Sequence, residues 1–126
     1  MKIVIPVDEK DIKTDVCEAL GRAPYYLVYD TGTEEAEFVD NSAAISAGGA
    51  GIKAAQIIVD TKADILLTPR CGENAANVLK AAGIKIYKTI DASVKENIDA
   101  FIAGELPLLD EIHGGFHGHG RGRRRI

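Results

Sequence analysis

No stretch of this chain approaches the roughly 18 consecutive apolar residues of a membrane span, and the N-terminus runs directly into KIVIPV without the profile of a secretory leader. A cytoplasmic location with no membrane partner is the resulting expectation. Cys17 and Cys71 are the only two cysteines, form no CxxC pair, and sit in a chain of 126 residues that can build a core without a disulfide, so both read as thiols. There is no Trp in a composition otherwise ordinary for one globular domain, at 46% hydrophobic and 27% charged. Histidine is missing from residues 1–112, and neither a catalytic carboxylate pair, a Ser-His-Asp set nor an HExxH motif is present. A catalytic imidazole would have to come from a C-terminal tail, which preorganises poorly, so the chain leans towards binding rather than enzymatic turnover.

Charge is distributed unevenly. Arg121, Arg123, Arg124 and Arg125 supply four of the 15 basic residues, which leaves 11 basic against 19 acidic in residues 1–112, a net of −8 within a total of −4. So acidic a body argues against nucleic acid as a partner, because phosphate neutralisation supplies most non-specific affinity.

The segment that organises the rest is Ala63–Ala82, ADILLTPRCGENAANVLKAA. Ile65-Leu66-Leu67 is a short apolar run ended by Pro69, which predicts a strand buried on both faces. Ala75, Val78, Leu79 and Ala82 then recur at helical spacing, and Gly83 stops the helix. Before them, Lys2–Val7 reads as a central strand, and Thr14 or Asp15 can cap a helical turn to Leu20 with Cys17 facing the core. Pro24–Asp30 and Glu35–Asn41 form a hairpin across Thr31-Gly32-Thr33-Glu34. Asn41–Ala47 reads as a surface connector. A helix opens at Gly48-Gly49-Ala50-Gly51, and its small inner residues Gly51, Ala54 and Ala55 predict close packing. Ile84–Tyr87 is a further strand, and Ser93-Val94-Lys95-Glu96 is a capping box for a helix with Val94, Ile98, Phe101 and Ile102 on its apolar face.

The order β, β, β, α, β, α, β, α predicts a three-layer α/β/α sandwich around one five-stranded mixed sheet, folded over residues 1–112. HGGFHGHGRGRRRI at 113–126 has no apolar periodicity and is expected to be a disordered tail. A monomer or weak homodimer is expected.

Three places can carry chemistry. The loop Gly48–Ile52 can bring backbone N–H groups to an anion at a helix N-terminus, although it lacks the Lys-Ser/Thr of a P-loop and the Rossmann spacing, and an ordinary tight helix entry explains it as well. Cys71, beside Arg70 and near a helix N-terminus, is expected to have a lowered pKa and enough thiolate character to bind a soft metal, against the plainer reading of an inert loop thiol. Glu73 or Asn74 is the expected helix cap. His113, His117 and His119 form a tract that can hold zinc, nickel or copper weakly, or simply remain solvated.

Taken in order, Gly21-Arg22-Ala23-Pro24-Tyr25-Tyr26, Gly49-Ala50-Gly51-Ile52-Lys53-Ala54-Ala55-Gln56, Cys71-Gly72-Glu73-Asn74-Ala75 and Ala82-Gly83-Ile84-Lys85-Ile86-Tyr87 resemble the dinitrogenase iron-molybdenum cofactor biosynthesis family, small proteins similar to NifX and to the C-terminal part of NifB. The likeness covers about residues 1–105. It implies a ribonuclease H-like fold with sheet order 3-2-1-4-5 and an antiparallel second strand. It also implies carriage of an iron–sulfur or molybdenum-containing cluster or its precursor, in exchange with cluster-assembly proteins and without turnover. Matched motif by motif, the ligand-facing positions are Arg22, Gly49, Ala50, Gly51, Ile52, Gly72, Glu73 and Asn74, with Cys71 as a soft ligand, and the charge of Arg70 beside it would attract an anionic cluster. Leu20 replaces a usual Phe, and a His that some members carry before the glycine loop is Ala47 or Gly48 here. The competing reading is an enzyme or regulator that binds a small phosphorylated ligand on Gly48–Ile52.

Overall fold

A computed structural model of the chain describes residues 1–42 and 49–109. Lys2–Val7 (β1) is apolar on both faces because it lies in the middle of a sheet: Val4 packs into one core, while Ile3, Ile5 and Val7 pack into the other. Tyr25–Asp30 (β2) and Ala36–Asp40 (β3) form the predicted hairpin, β2 antiparallel to β1 and β3 antiparallel to β2. The Asp30 carboxylate fixes its turn by accepting from the N–H of Gly32 at 2.8 Å and of Thr33 at 3.4 Å. There follow Ala50–Asp60 (α1), Ile65–Thr68 (β4), Glu73–Ala81 (α2), Lys85–Lys88 (β5) and Val94–Ile102 (α3). β4 pairs parallel with β1, and β5 parallel with β4, so the sheet has the order β3-β2-β1-β4-β5. This is the expected five-stranded mixed sheet with its antiparallel second strand.

The two faces are covered differently. α1 and α2 lie together on one side, where Ala54, Ala55, Ile58, Ala75, Ala76 and Leu79 pack over Val4, Tyr26, Leu66 and Ile86. On the other, α3 sets Val94, Ile98 and Ala100 against Ile3, Ile5, Leu27 and Leu67. The small residues of α1 allow the close packing read from the sequence: a Cβ built on Gly51 would stand 3.8 Å from that of Ala75. In α2 the buried stripe is Ala75, Ala76 and Leu79, with Ala82 exposed beyond the helix end, so the stripe is rotated from the predicted one. Past α3, Leu108 bridges to Tyr87 and the Leu109 N–H donates to the Ile86 carbonyl at 2.9 Å, which covers the outer side of β5.

Two further expectations fail. Thr14–Leu20 forms no helical turn; Val16 bridges to Val7 and Asp15 to Ser93, and the Cys17 N–H donates to the Pro6 carbonyl at 2.9 Å. The backbone there is used to tie the chain to β1 and to the start of α3, and Cys17 is half-buried rather than fully turned into the core. Asn41 is no surface connector, being only 5% exposed. The expectations for Ala43–Gly48 and for the tail, with His113, His117 and His119, lie outside the described residues.

Candidate functional site

The crossover topology delivers three segments to one end of the sheet. At the carboxyl end of β4 the buried Thr68 hydroxyl donates to the Arg70 carbonyl at 3.0 Å and folds Pro69-Arg70 into a short loop. Gly72 then serves as the N-cap of α2 in an extended conformation, φ −73° and ψ 159°, with no side-chain cap. Neither Glu73 nor Asn74 occupies the cap position; both are already helical, because the helix starts earlier than a cap at either residue would allow. Gly49 opens α1 at φ 69°, in the left-handed region that favours glycine, and again no side chain caps the helix.

The third segment, Leu20–Ala23, is pinned from the hairpin. The Tyr26 hydroxyl donates to the Leu20 carbonyl at 2.6 Å, and the Asn41 amide donates to the carbonyls of Gly21 at 3.2 Å and Ala23 at 2.8 Å. A Cβ on Gly21 would come within 3.2 Å of the Ala50 carbonyl carbon and the Gly51 nitrogen, so glycine lets this loop lie directly on the start of α1. Nothing in the local sequence announces Tyr26 and Asn41 as supports, because their partners are backbone carbonyls.

Together these segments enclose an open cleft of about 540 Å³. Gly51, Arg70, Cys71, Gly72, Glu73 and Asn74 line it, together with Gly21, Leu20 and Glu18, of which Glu18 was not singled out by sequence. Gly49 and Ala50 flank Gly51, and Ile52 is exposed on the next position of α1. Arg22 is exposed beside Gly21 but does not itself line the cleft. The GRAPY, GGAG and RCGEN segments therefore meet on one side of the domain.

Cys71 departs from its expected chemistry. It is 2% exposed and packed in the core, and burial pushes its thiol up to about 11, a shift the charge of Lys80 only partly opposes. Its Sγ donates to the Gly72 carbonyl at 3.6 Å. Proximity to a helix N-terminus was expected to favour thiolate; desolvation wins because the side chain points into packing rather than into the cleft mouth. Among the described residues no three His, Cys, Asp or Glu side chains converge to hold a metal ion. No helix among them is long and apolar enough to cross a membrane.

A mixed sheet of order β3-β2-β1-β4-β5 with three helices, and an open cleft at the carboxyl end of β4 flanked by two helix N-termini, defines a small three-layer α/β domain. The chain belongs to the dinitrogenase iron-molybdenum cofactor family, whose profile matches residues 1–104. It is 33% identical to the apo form of the orange protein from Desulfovibrio gigas, covering 86% of this chain and 92% of that one, with a TM-score of 0.82. A Thermotoga protein assigned provisionally to NifB and to the DUF35 family is 35% identical over 94% of this chain and 98% of its own, with a TM-score of 0.78. An uncharacterised protein of Methanocaldococcus jannaschii is 27% identical over 113 residues, 87% of this chain and 92% of its own length.

Proposed function

We propose that the chain binds and carries an anionic iron–sulfur or molybdenum-containing cluster, or its precursor, in the cleft between the Gly21 loop and the N-termini of α1 and α2, and hands it to cluster-assembly proteins without turning it over. One observation carries this reading: two helices without side-chain caps begin side by side at the same cleft. Backbone N–H groups at helix N-termini attract negative charge and can hydrogen-bond to sulfide ligands. Arg70 adds a guanidinium. The walls from Ala19, Leu20, Gly51 and Ala75 are small and apolar, which suits weakly hydrated sulfur better than a sugar or a free ion.

Glu18 and Glu73 also line the cleft, but both are exposed and can turn to water, whereas the backbone donors cannot move. Without converging ligands among the described residues, the cargo is held first by dipoles, shape and Arg70 rather than by a ready-made set of metal bonds. Cys71 serves as a wall of the cleft and becomes a ligand only if the cargo draws off its proton. The family name and the likeness to the orange protein and to a NifB-assigned protein support the same cargo class.

Anaerobic titration of the full chain with tetrathiomolybdate, a dianionic metal–sulfur probe, tests this. Saturable induced circular dichroism in the visible bands is expected, weakened about tenfold by Arg70→Gln and less by Cys71→Ala. If the probe gives no saturable signal while a panel of nucleotides raises the melting temperature, the cleft belongs instead to a phosphorylated ligand on the glycine loop.

A further inference from the structure

The polypeptide backbone has two electrical ends: an N–H attracts an anion, and a carbonyl oxygen repels it. In the cleft between the Gly21 loop and the starts of α1 and α2 much of the lining is backbone, because Gly21, Gly51 and Gly72 carry no side chain and Ala19 and Ala75 carry little. Which sign the cleft shows to a ligand therefore depends on where the carbonyls of its loops are bonded.

They are bonded into the protein. On the hairpin side the Leu20 carbonyl accepts from the Tyr26 hydroxyl at 2.6 Å and the Gly21 carbonyl from the Asn41 amide at 3.2 Å, and the same amide reaches the Ala23 carbonyl at 2.8 Å. The Ala19 carbonyl accepts from the Arg22 N–H at 3.1 Å. On the opposite wall the Arg70 carbonyl accepts from the Thr68 hydroxyl at 3.0 Å, and the Gly72 carbonyl from the Ala76 N–H at 2.9 Å. Ala19, Leu20, Gly21, Arg70 and Gly72 all line the cleft, and the acceptor oxygen of each is committed to a donor of the protein itself. Helical carbonyls are engaged as a matter of course, but loop carbonyls ordinarily turn to water. Here three side chains hold them, and all three are buried. Tyr26 even keeps its hydroxyl in an apolar core with Val4, Ala54 and Leu66, where Phe would pack without the cost of desolvating a polar group.

Resting on the cluster reading above, we infer that Tyr26, Asn41 and Thr68 are positioning residues for the cargo: by holding the carbonyls of Leu20, Gly21 and Arg70 to buried donors, they strip the cleft of free acceptor oxygens and make it selective for an anion. None of the three lines the cleft, so each acts through the loop backbone that it holds. Removing one donor leaves one carbonyl without its partner, and that oxygen is satisfied again only by turning to the water of the cleft, where it repels a metal–sulfur anion. The same arrangement disfavours a bare hard cation, which needs free carbonyl or carboxylate oxygens as ligands, and it accords with the lack of a converging ligand set among the described residues.

Tyr26→Phe and Thr68→Val each delete one hydroxyl donor at nearly constant shape, and Ser93→Ala is the control, since it weakens the fold at the start of α3 without touching the cleft. The full chain is titrated anaerobically with tetrathiomolybdate in the cold, well below the unfolding transition of every variant, so that lost stability alone cannot lower the affinity. Affinity should fall about 3-fold to 10-fold in Tyr26→Phe and in Thr68→Val and stay unchanged in Ser93→Ala. In the ligand-free proteins the amide NMR signals of residues 19–23 should shift in Tyr26→Phe and those of residues 70–72 in Thr68→Val. A wild-type chain that gives no saturable signal would overturn the cluster reading and this inference with it. Saturable wild-type binding with unchanged affinity in both variants, or a loss no larger than that of Ser93→Ala, would overturn the positioning role alone. If Thr68→Val does not fold, Tyr26→Phe decides.

Discussion

The N-termini of α2 and α3 are opposites. α3 begins with a complete capping box, in which the Ser93 hydroxyl accepts from the Glu96 N–H at 3.2 Å and the Glu96 carboxylate accepts from the Ser93 N–H at 3.1 Å. α2 begins at Gly72, and α1 at Gly49, with no side chain in the cap position. Uncapped donors weaken a helix, and under the proposed function the uncapped donors of α1 and α2 are the ones that meet the cargo. The closed end serves stability; the open ends face the cleft.

Closing the open end is the strongest way to break this contrast. In Gly72→Asp, the extended backbone at this position accepts any residue, so the new carboxylate should cap α2 and hold or slightly raise the melting temperature. It should also cut tetrathiomolybdate affinity by about tenfold or more, because a negative charge then sits where the anion does. Retained affinity would remove the α2 N-terminus from the site. The converse, opening the closed end with Ser93→Ala, should cost about 1 kcal/mol in urea denaturation and leave probe binding untouched.

A smaller effect sharpens the reading of Cys71. Its thiol titrates at about 11 when folded against 9.0 for an exposed thiol, so the unfolded chain releases the proton first. The contribution is fully present below pH 9 and is lost as the pH rises towards 11. Stability should therefore fall by a few tenths of a kcal/mol by pH 9, and Cys71→Ala should flatten that fall. An equal pH profile in both proteins would show the thiol to be solvated.

The strands of the hairpin half and the capping box of α3 were legible because each rests on a local pattern: the β-branched run of Lys2–Val7, the turn residues Thr31–Glu34, and Ser93 three positions before Glu96; the sheet order came only from the family resemblance of the ordered motifs. The grouping of Gly21, Gly51 and Cys71 was legible only from the ordered motifs, since no local property of Gly21 shows that it will lie 3.2 Å from α1 once given a Cβ. The Thr14–Leu20 turn was misread because helical propensity there is overridden by bridges to β1 and to Ser93. The thiol of Cys71 was misread for a related reason: sequence shows the neighbouring charge and the helix start, but not the desolvation that outweighs them. Asn41, seemingly a polar linker residue, was hidden because a buried amide that clamps carbonyls looks the same in sequence as one facing water.

Tyr26 and Asn41, which hold the Gly21 loop, belong to the first 41 residues, and their hairpin is built from neighbours in sequence. The opposite wall arrives with β4, whose pairing of Ile65 to Ile3 closes a far longer stretch of chain. Contacts so distant form late. A nascent chain thus completes one wall of the cleft before the other exists, and a polypeptide halted ahead of α2 has only the Gly21 loop and the start of α1. If the cleft carries a cluster as proposed, its full grip forms only once the whole fold has closed.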